Sequence, residues 1–147
     1  MFCCRFFVII KIMTEKINAK TVIAYWRKSA QLNFETAEFL FKGKKYRDCL
    51  FFCHLTLEKT LKGLAVQHTK THAPHVHSLD ALSLKTGVVF SAEQTNNLKI
   101  ISTFDIRARY DNEKMDFYKK CTEEYAQKYL AITQKLYLWL TEQYPKE

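Results

Sequence analysis

The residues of this chain that can do chemistry gather in three places. The first is Arg107-Ala108-Arg109-Tyr110-Asp111, which sets two guanidinium groups beside a phenol and a carboxylate. A guanidinium is planar and grips phosphate oxygens in pairs, and a tyrosine beside it stacks on a base or donates a hydrogen bond. Two arginines at the carbonyl end of a helix also meet its negative pole, a role that needs no ligand. Both readings stand for Arg107 and Arg109. The second place is Glu58-Lys59 with Lys62, where the acid precedes the base by four residues, the order that favours an ion pair along a helix. This pair reads as a surface stabiliser, or as a link to the arginines with a lysine turned to a phosphate.

The third place is the histidine series His68, His72, His75 and His77. Its spacing fits no zinc finger and no cysteine lies near it in sequence, so no metal is assigned. His77 is expected to fix the start of the following helix, or to carry a proton if the fold brings it beside Arg109. His54, inside an apolar run, reads as a core or surface residue. Tyr118, Tyr125, Tyr129, Tyr137 and Tyr144 recur toward the end of the chain. Their faces can stack bases, but core packing or a dimer face explains them more simply. No glycine-rich phosphate loop, nucleophile elbow, paired-carboxylate signature or metalloprotease motif occurs, so those enzyme classes and any cofactor are set aside.

The elements that must position these groups are helices. The 147 residues hold only three Gly and two Pro, too few turn formers for a sandwich or barrel of short strands. Hydrophobic residues at 48% and charged residues at 26% give one globular core rather than a disordered chain. The net charge of +8 favours polyanion partners such as RNA, DNA or nucleotides, or reads as a solvated Lys-rich surface, and no Lys/Arg run reaches five residues. Cys3, Cys4, Cys49, Cys53 and Cys121 are odd in number and form no CxxC pair, which points to reduced thiols in a cytoplasmic protein.

The opening MFCCRFFVIIKI differs from the rest. Its apolar run Phe6–Ile10 is too short to span a membrane and lacks the form of a signal peptide. Met13 opens a polar stretch that leads into a helix. Residues 1–12 are therefore expected to be a mis-called start or a frayed extension, and residues 13–147 a single domain. Without the extension the charge is still +6.

A first helix is expected from about Lys20 to Phe41, with Val22, Tyr25, Trp26, Ala30, Phe34, Ala37 and Phe41 facing inward and Gly43 turning the chain in a left-handed conformation. A second runs from about Tyr46 to His68, antiparallel to the first. The loop Thr69–Val76 follows. Ser78 caps a short helix that ends at Gly87, and Ser91 with Gln94 forms a capping box that opens a helix to about Arg109. A last helix spans about Met115 to Tyr144, with Tyr118, Tyr125, Tyr129, Ile132, Leu136, Trp139 and Leu140 inward.

Taken in order, Trp26, Ala30, Ala37, Gly43, Tyr46, the Glu58-Lys59-Thr60-Leu61-Lys62 stretch, His77-Ser78-Leu79 with Leu82, and Arg107 to Asp111 resemble the HEPN domain family. The resemblance covers about residues 20 to 142. It implies an all-α, up-and-down bundle of four to five antiparallel helices that pairs as a homodimer. It also implies binding of RNA or a nucleotide in a basic cleft built from Arg107, Arg109, Lys59, Lys62, Glu58 and His77, with Arg107, Arg109, Tyr110 and Asp111 as the reactive group. Many relatives are metal-independent ribonucleases with an R-x(4–6)-H motif, and some work as the toxin or accessory half of a pair with a separately encoded minimal nucleotidyltransferase. Here Asn112, Glu113, Lys114, Met115 and Asp116 occupy every position open to the motif histidine. Binding therefore ranks first, and cleavage requires that Asp111, Tyr110 or His77 stand in. A purely structural interaction module is the third function class.

Overall fold

Four helices begin where a polar side chain accepts a hydrogen bond from a backbone amide three residues on: Asn18 from Thr21, Ser78 from Ala81, Ser91 from Gln94 and Thr122 from Tyr125. The computed structural model describes residues 17–146; the expectation for residues 1–12 lies outside the described residues. The described chain is all helical: α1 (Ala19–Lys42), α2 (Tyr46–Thr69), α3 (Leu79–Ser83), α4 (Ala92–Ser102), α5 (Phe104–Arg109), α6 (Asp116–Lys120) and α7 (Glu123–Glu142). None of the described helices is long and apolar enough to cross a membrane.

α2 is the axis of the bundle. Fourteen of its 24 residues are buried, and α1, α3, α4, α5 and α7 all pack on it. α1 folds back along α2 through Gly43, Lys44 and Lys45. The left-handed residue of that reversal is Lys44, at φ 58°, and not Gly43, at φ −79°. The chain turns one residue later than expected because the Gly43 amide still reaches back to Phe39 O, at 3.0 Å, and Lys45 N closes the cap on Leu40 O, at 2.8 Å. The core gathers Leu50, Leu57, Leu61, Leu79, Leu82, Leu98, Ile101 and Leu140 around Phe104, whose ring meets Tyr129 edge-on at 5.2 Å.

Two expected helices are interrupted. The helix opened by the Ser91–Gln94 capping box stops at Ser102 and restarts at Phe104. At the break, the Thr103 hydroxyl and amide both turn back to Ile100 O, at 2.7 and 3.1 Å. The last helix divides at Cys121 and Thr122, where Thr122 becomes the cap of α7. The helix after Ser78 ends at Ser83, well before Gly87, which sits at φ +71° with a Cβ position only 2.6 Å from the His68 ring. Only glycine fits there. Tyr25 and Tyr118, expected inward, are 57% and 54% exposed. Periodicity over-assigned both: Tyr25 meets neighbouring Trp26 edge-on, and Tyr118 lies against the guanidinium of Arg47. Cys49, Cys53 and Cys121 are buried free thiols.

Tyr144 closes the far end of the bundle. Its hydroxyl donates to Thr60 O at 2.9 Å and fills the space a side chain at position 63 would need. Gly63→Ala is expected to cost about 1–3 kcal/mol in urea unfolding, because the new methyl meets a close-packed hydroxyl. Adding Tyr144→Phe should make the double variant less destabilised than the sum of the two singles, and strict additivity would contradict this contact.

Candidate functional site

His54, Glu58 and Lys62 stand at successive helical turns on one face of α2, and all three are buried. The expected surface pair is thus a core pair, with Glu58 4% and Lys62 8% exposed. Burial places a cost of several kcal/mol on each ion, so every lone pair must find a donor. Lys62 Nζ donates to Glu58 Oε1 at 2.7 Å. His77 Nδ1 approaches the same oxygen at 3.0 Å. Burial opposes the Glu58 charge, but the hydrogen bond and charge of Lys62, the His77 hydrogen bond and the nearby His54 outweigh it and hold the carboxyl below its ordinary range. The Lys62 ammonium also lies 5.5 Å from the Trp26 ring of α1, and Lys59 lies 5.0 Å from it. Lys62 is therefore held inside the fold and not turned to a phosphate.

His77 serves twice. Its carbonyl accepts from His54 Nε2 at 3.1 Å, which fixes the proton of His54 on Nε2 and leaves His54 Nδ1 buried without a partner. Its ring donates from Nδ1 to the Glu58 carboxylate, so Nε2 is the free ring nitrogen on a side chain that is 68% exposed. A carboxylate behind an imidazole selects the tautomer and aims the outer nitrogen, the arrangement a proton carrier needs. His77 thus pins the loop before α3 to α2 through two bonds rather than capping α3.

The arginines occupy the last turn of α5. Arg109 Nη2 lies 2.9 Å from both oxygens of buried Asp105, and its Nε reaches Asp105 O at 3.2 Å. Its guanidinium carbon sits 5.5 Å from the Tyr110 ring and 6.0 Å from that of Phe51 on α2. Tyr110 is 72% exposed. Arg107 points the other way, over Phe117 of α6 at 4.8 Å. Asp111 accepts from the amides of Asn112, Phe117 and Tyr118 at 2.9, 3.1 and 2.8 Å. Burial works against its charge, but these amides and Arg47 outweigh it and keep its carboxyl below the usual range. Its oxygens are occupied in turning the chain into α6, so it is poorly placed as an acid or base.

The predicted residues therefore form two groups. Glu58, Lys62 and His77 meet on α2, with Lys59 turned to Trp26. Arg107, Arg109, Tyr110 and Asp111 border α5 and α6. His54 belongs with the first group, bonded to the His77 carbonyl, and the charges of Asp105 and Arg109 also reach it. Sequence reasoning missed Asp105, Phe51 and Arg47, whose guanidinium lies 5.8 Å from the ring of Tyr118, one of the tyrosines already counted as able to stack. The four-residue step from Asp105 to Arg109 was the one signal available for them.

Burial takes the pKa of His54 down to about 4, so its ring is neutral in the native protein while an unfolded chain protonates it near the ordinary 6.5. The unfolded state then binds more protons between those values, so the stabilisation is full above about pH 6.5 and is lost as pH falls toward 4. The depressed Glu58 carboxyl acts in the same direction at lower pH. Urea unfolding at pH 7 and 4.5 is expected to show a loss of about 2–3 kcal/mol, and His54→Gln should remove most of that slope. An unaltered slope would show that other groups carry it.

With this geometry in hand, comparison with known proteins places the chain. The model of the HEPN domain matches residues 23–144. TT1696 from Thermus thermophilus, known from its crystal structure, is 20% identical with a TM-score of 0.74, over 83% of this chain and 98% of its own. ST0689, described as an archaeal HEPN homologue, is 21% identical with a TM-score of 0.67, over 82% and 96%. Among curated proteins none matches. At these identities the solved structures speak for the shared helical fold, and the domain match, which spans most of the chain, decides the family: this protein belongs to the HEPN domain family.

Proposed function

We propose that this HEPN protein binds RNA or a nucleotide on the surface formed by Arg107, Arg109 and Tyr110. The observation that carries this reading is the Arg109 guanidinium, clamped by buried Asp105 and flanked by Phe51 and the exposed Tyr110 ring. A guanidinium that no longer has to be ordered binds a phosphate oxygen at low entropic cost, and the bare phenol beside it gives a base a face to stack on. Arg107, Arg47 and exposed Tyr118 extend the same chemistry toward α6. In this reading residues 13–147 are the single domain of a cytoplasmic homodimer, which acts as the toxin or accessory half of a pair with a minimal nucleotidyltransferase.

An Arg107→Ala/Arg109→Ala variant that keeps its fold is expected to lose most binding of a labelled oligoribonucleotide and to lower the salt slope by about two, one for each phosphate contact removed. Tyr110→Ala should weaken binding by about 1–3 kcal/mol with the salt slope unchanged. Unchanged affinity in the double variant would sink the reading.

A second reading, metal-independent ribonuclease, is supported by one observation, the His77 ring held by Glu58 with its outer nitrogen exposed. His77 Nε2 would take the proton of a ribose 2′-hydroxyl as that oxygen attacks phosphorus, and a protonated donor would return one to the departing 5′-oxygen. Cleavage in EDTA that His77→Gln and Arg109→Ala each abolish is the outcome required. Cleavage indifferent to His77 would reject this role.

A further inference from the structure

A second basic concavity lies away from the Arg109 surface, where α1, α7 and the second half of α2 meet. Tyr144 rests there against Thr60 and Gly63, nine to twelve residues beyond Phe51, which is about 13–18 Å further along the α2 axis. Arg27 of α1 lies over the Tyr144 ring, its guanidinium carbon 4.8 Å from the centroid. The ring is buried and tied to Thr60 O, so the guanidinium leans on a fixed support. Among the described residues Arg27 makes no ion pair. This sets it apart from Arg109, whose charge is already matched by Asp105.

Beside Arg27 opens a hollow of about 270 Å³, lined by Lys28, Gln31, Tyr137, Thr141 and Tyr144 among others, with no carboxylate in its wall. Two adjoining hollows share Arg27 and Tyr144, and bring Lys20, Lys70 and Lys146 to the same groove, with Glu142 the carboxylate in their walls among the described residues. The donors can be counted. Thr141 and Tyr144 already give their hydroxyl protons to backbone carbonyls, and Gln31 gives one amide proton to Glu35 Oε1 at 3.0 Å. The Thr60 hydroxyl is likewise spent on Thr56 O, so Arg27, Lys28, the Tyr137 hydroxyl and the second Gln31 amide proton remain. Burial raises the Tyr137 pKa, with Glu35 adding to the rise and Arg27 opposing it, so its proton stays in place at neutral pH.

A supported guanidinium, an ammonium one residue on and a phenolic donor around a small hollow match a tetrahedral oxyanion, which offers oxygens to all three at once. We infer that this groove is a phosphate site, in which Arg27 and Lys28 hold one phosphate group of the ligand and Tyr137 donates to it, while Lys20, Lys70 and Lys146 attract its neighbours. The phosphate comes either from a small phosphate compound or from the backbone of a nucleic-acid strand. The site is independent of the Arg107–Arg109 surface, and neither inference needs the other.

The test titrates pyrophosphate, and separately a 5′-hydroxyl oligoribonucleotide, into folded protein by calorimetry at low salt. Arg27→Met keeps an apolar stem over Tyr144 while removing the charge. It is expected to weaken pyrophosphate about tenfold or more, whereas Lys99→Gln, at an exposed position of α4 outside both basic surfaces, leaves pyrophosphate unchanged. Lys28→Gln, an exposed position that cannot threaten folding, should weaken it in the same direction. If Arg27→Met also weakens the oligoribonucleotide and lowers its salt slope by about one, the site takes strand phosphodiesters; if the oligoribonucleotide is unaffected, it takes a small phosphate compound. Pyrophosphate affinity that is undetectable in the parent, or equal in the parent and both groove variants, overturns the inference. Loss of oligoribonucleotide binding in the Arg109 variant alone bears only on the other surface.

Discussion

The arrangement depends most on one buried carboxylate. Glu58 sits in the middle of the helix that α1, α3, α4, α5 and α7 pack against, where an unpaired charge would cost several kcal/mol. Its partners come from three directions: Lys62 from its own helix, His77 from the loop before α3, and Trp26 of α1 covering the ammonium that completes the pair. Each partner is fixed by the need to neutralise the same group. That need holds α1 and the histidine loop in one register on α2. His54 extends the constraint by holding the His77 carbonyl, and it carries the electrostatic influence of this cluster to Asp105 and Arg109. Both sets of polar residues thus bear on the charge of one buried imidazole, which touches only the Glu58–His77 set.

How much of this could be read from the chain follows from the range of the forces involved. Ser78, Ser91 with Gln94, and the limits of α1 and α2 were legible because caps and apolar spacing act over a few residues. The breaks at Thr103 and Thr122 were not, since a threonine inside an apolar pattern reads equally as a helix residue or as a cap. Tyr25 and Tyr118 were over-assigned because periodicity records that a ring is apolar and not whether a neighbour arrives to cover it. The spacing of Glu58 and Lys62 was visible, but their burial was not, because the residues that bury them are distant in sequence. Lys62 consequently moved from the candidate ligand set to the core. The Arg107–Asp111 segment was recognisable as a cluster, yet its division into a clamped arginine, a stacked arginine and a turn-forming aspartate came from α6 folding back beneath it.

The charge of +8 is not spread as a uniform coat. Arg109 is neutralised by Asp105 and so offers geometry more than field, whereas the groove at Arg27 gathers five basic side chains, with Glu142 in its wall and Glu35 beside Gln31 the carboxylates near it among the described residues, and offers field more than geometry. An extended anion approaching the protein would be drawn first toward the groove and oriented more sharply at the aromatic-flanked arginine. Long-range attraction and short-range fit are then assigned to separate regions of the same small bundle.

Tyr144 gives the fold a temporal order. The hairpin of α1 and α2 is built from contacts close in sequence and can assemble while the rest of the chain is still being synthesised. The bond from Tyr144 to Thr60 spans 84 residues, so the notch above Gly63 stays open, and Arg27 lacks its aromatic support, until the ribosome has released the whole of α7 and Tyr144 beyond it. A nascent chain therefore leaves the flank of α2 that α7 covers open until α7 emerges, and the groove beside Arg27 takes its shape only after that.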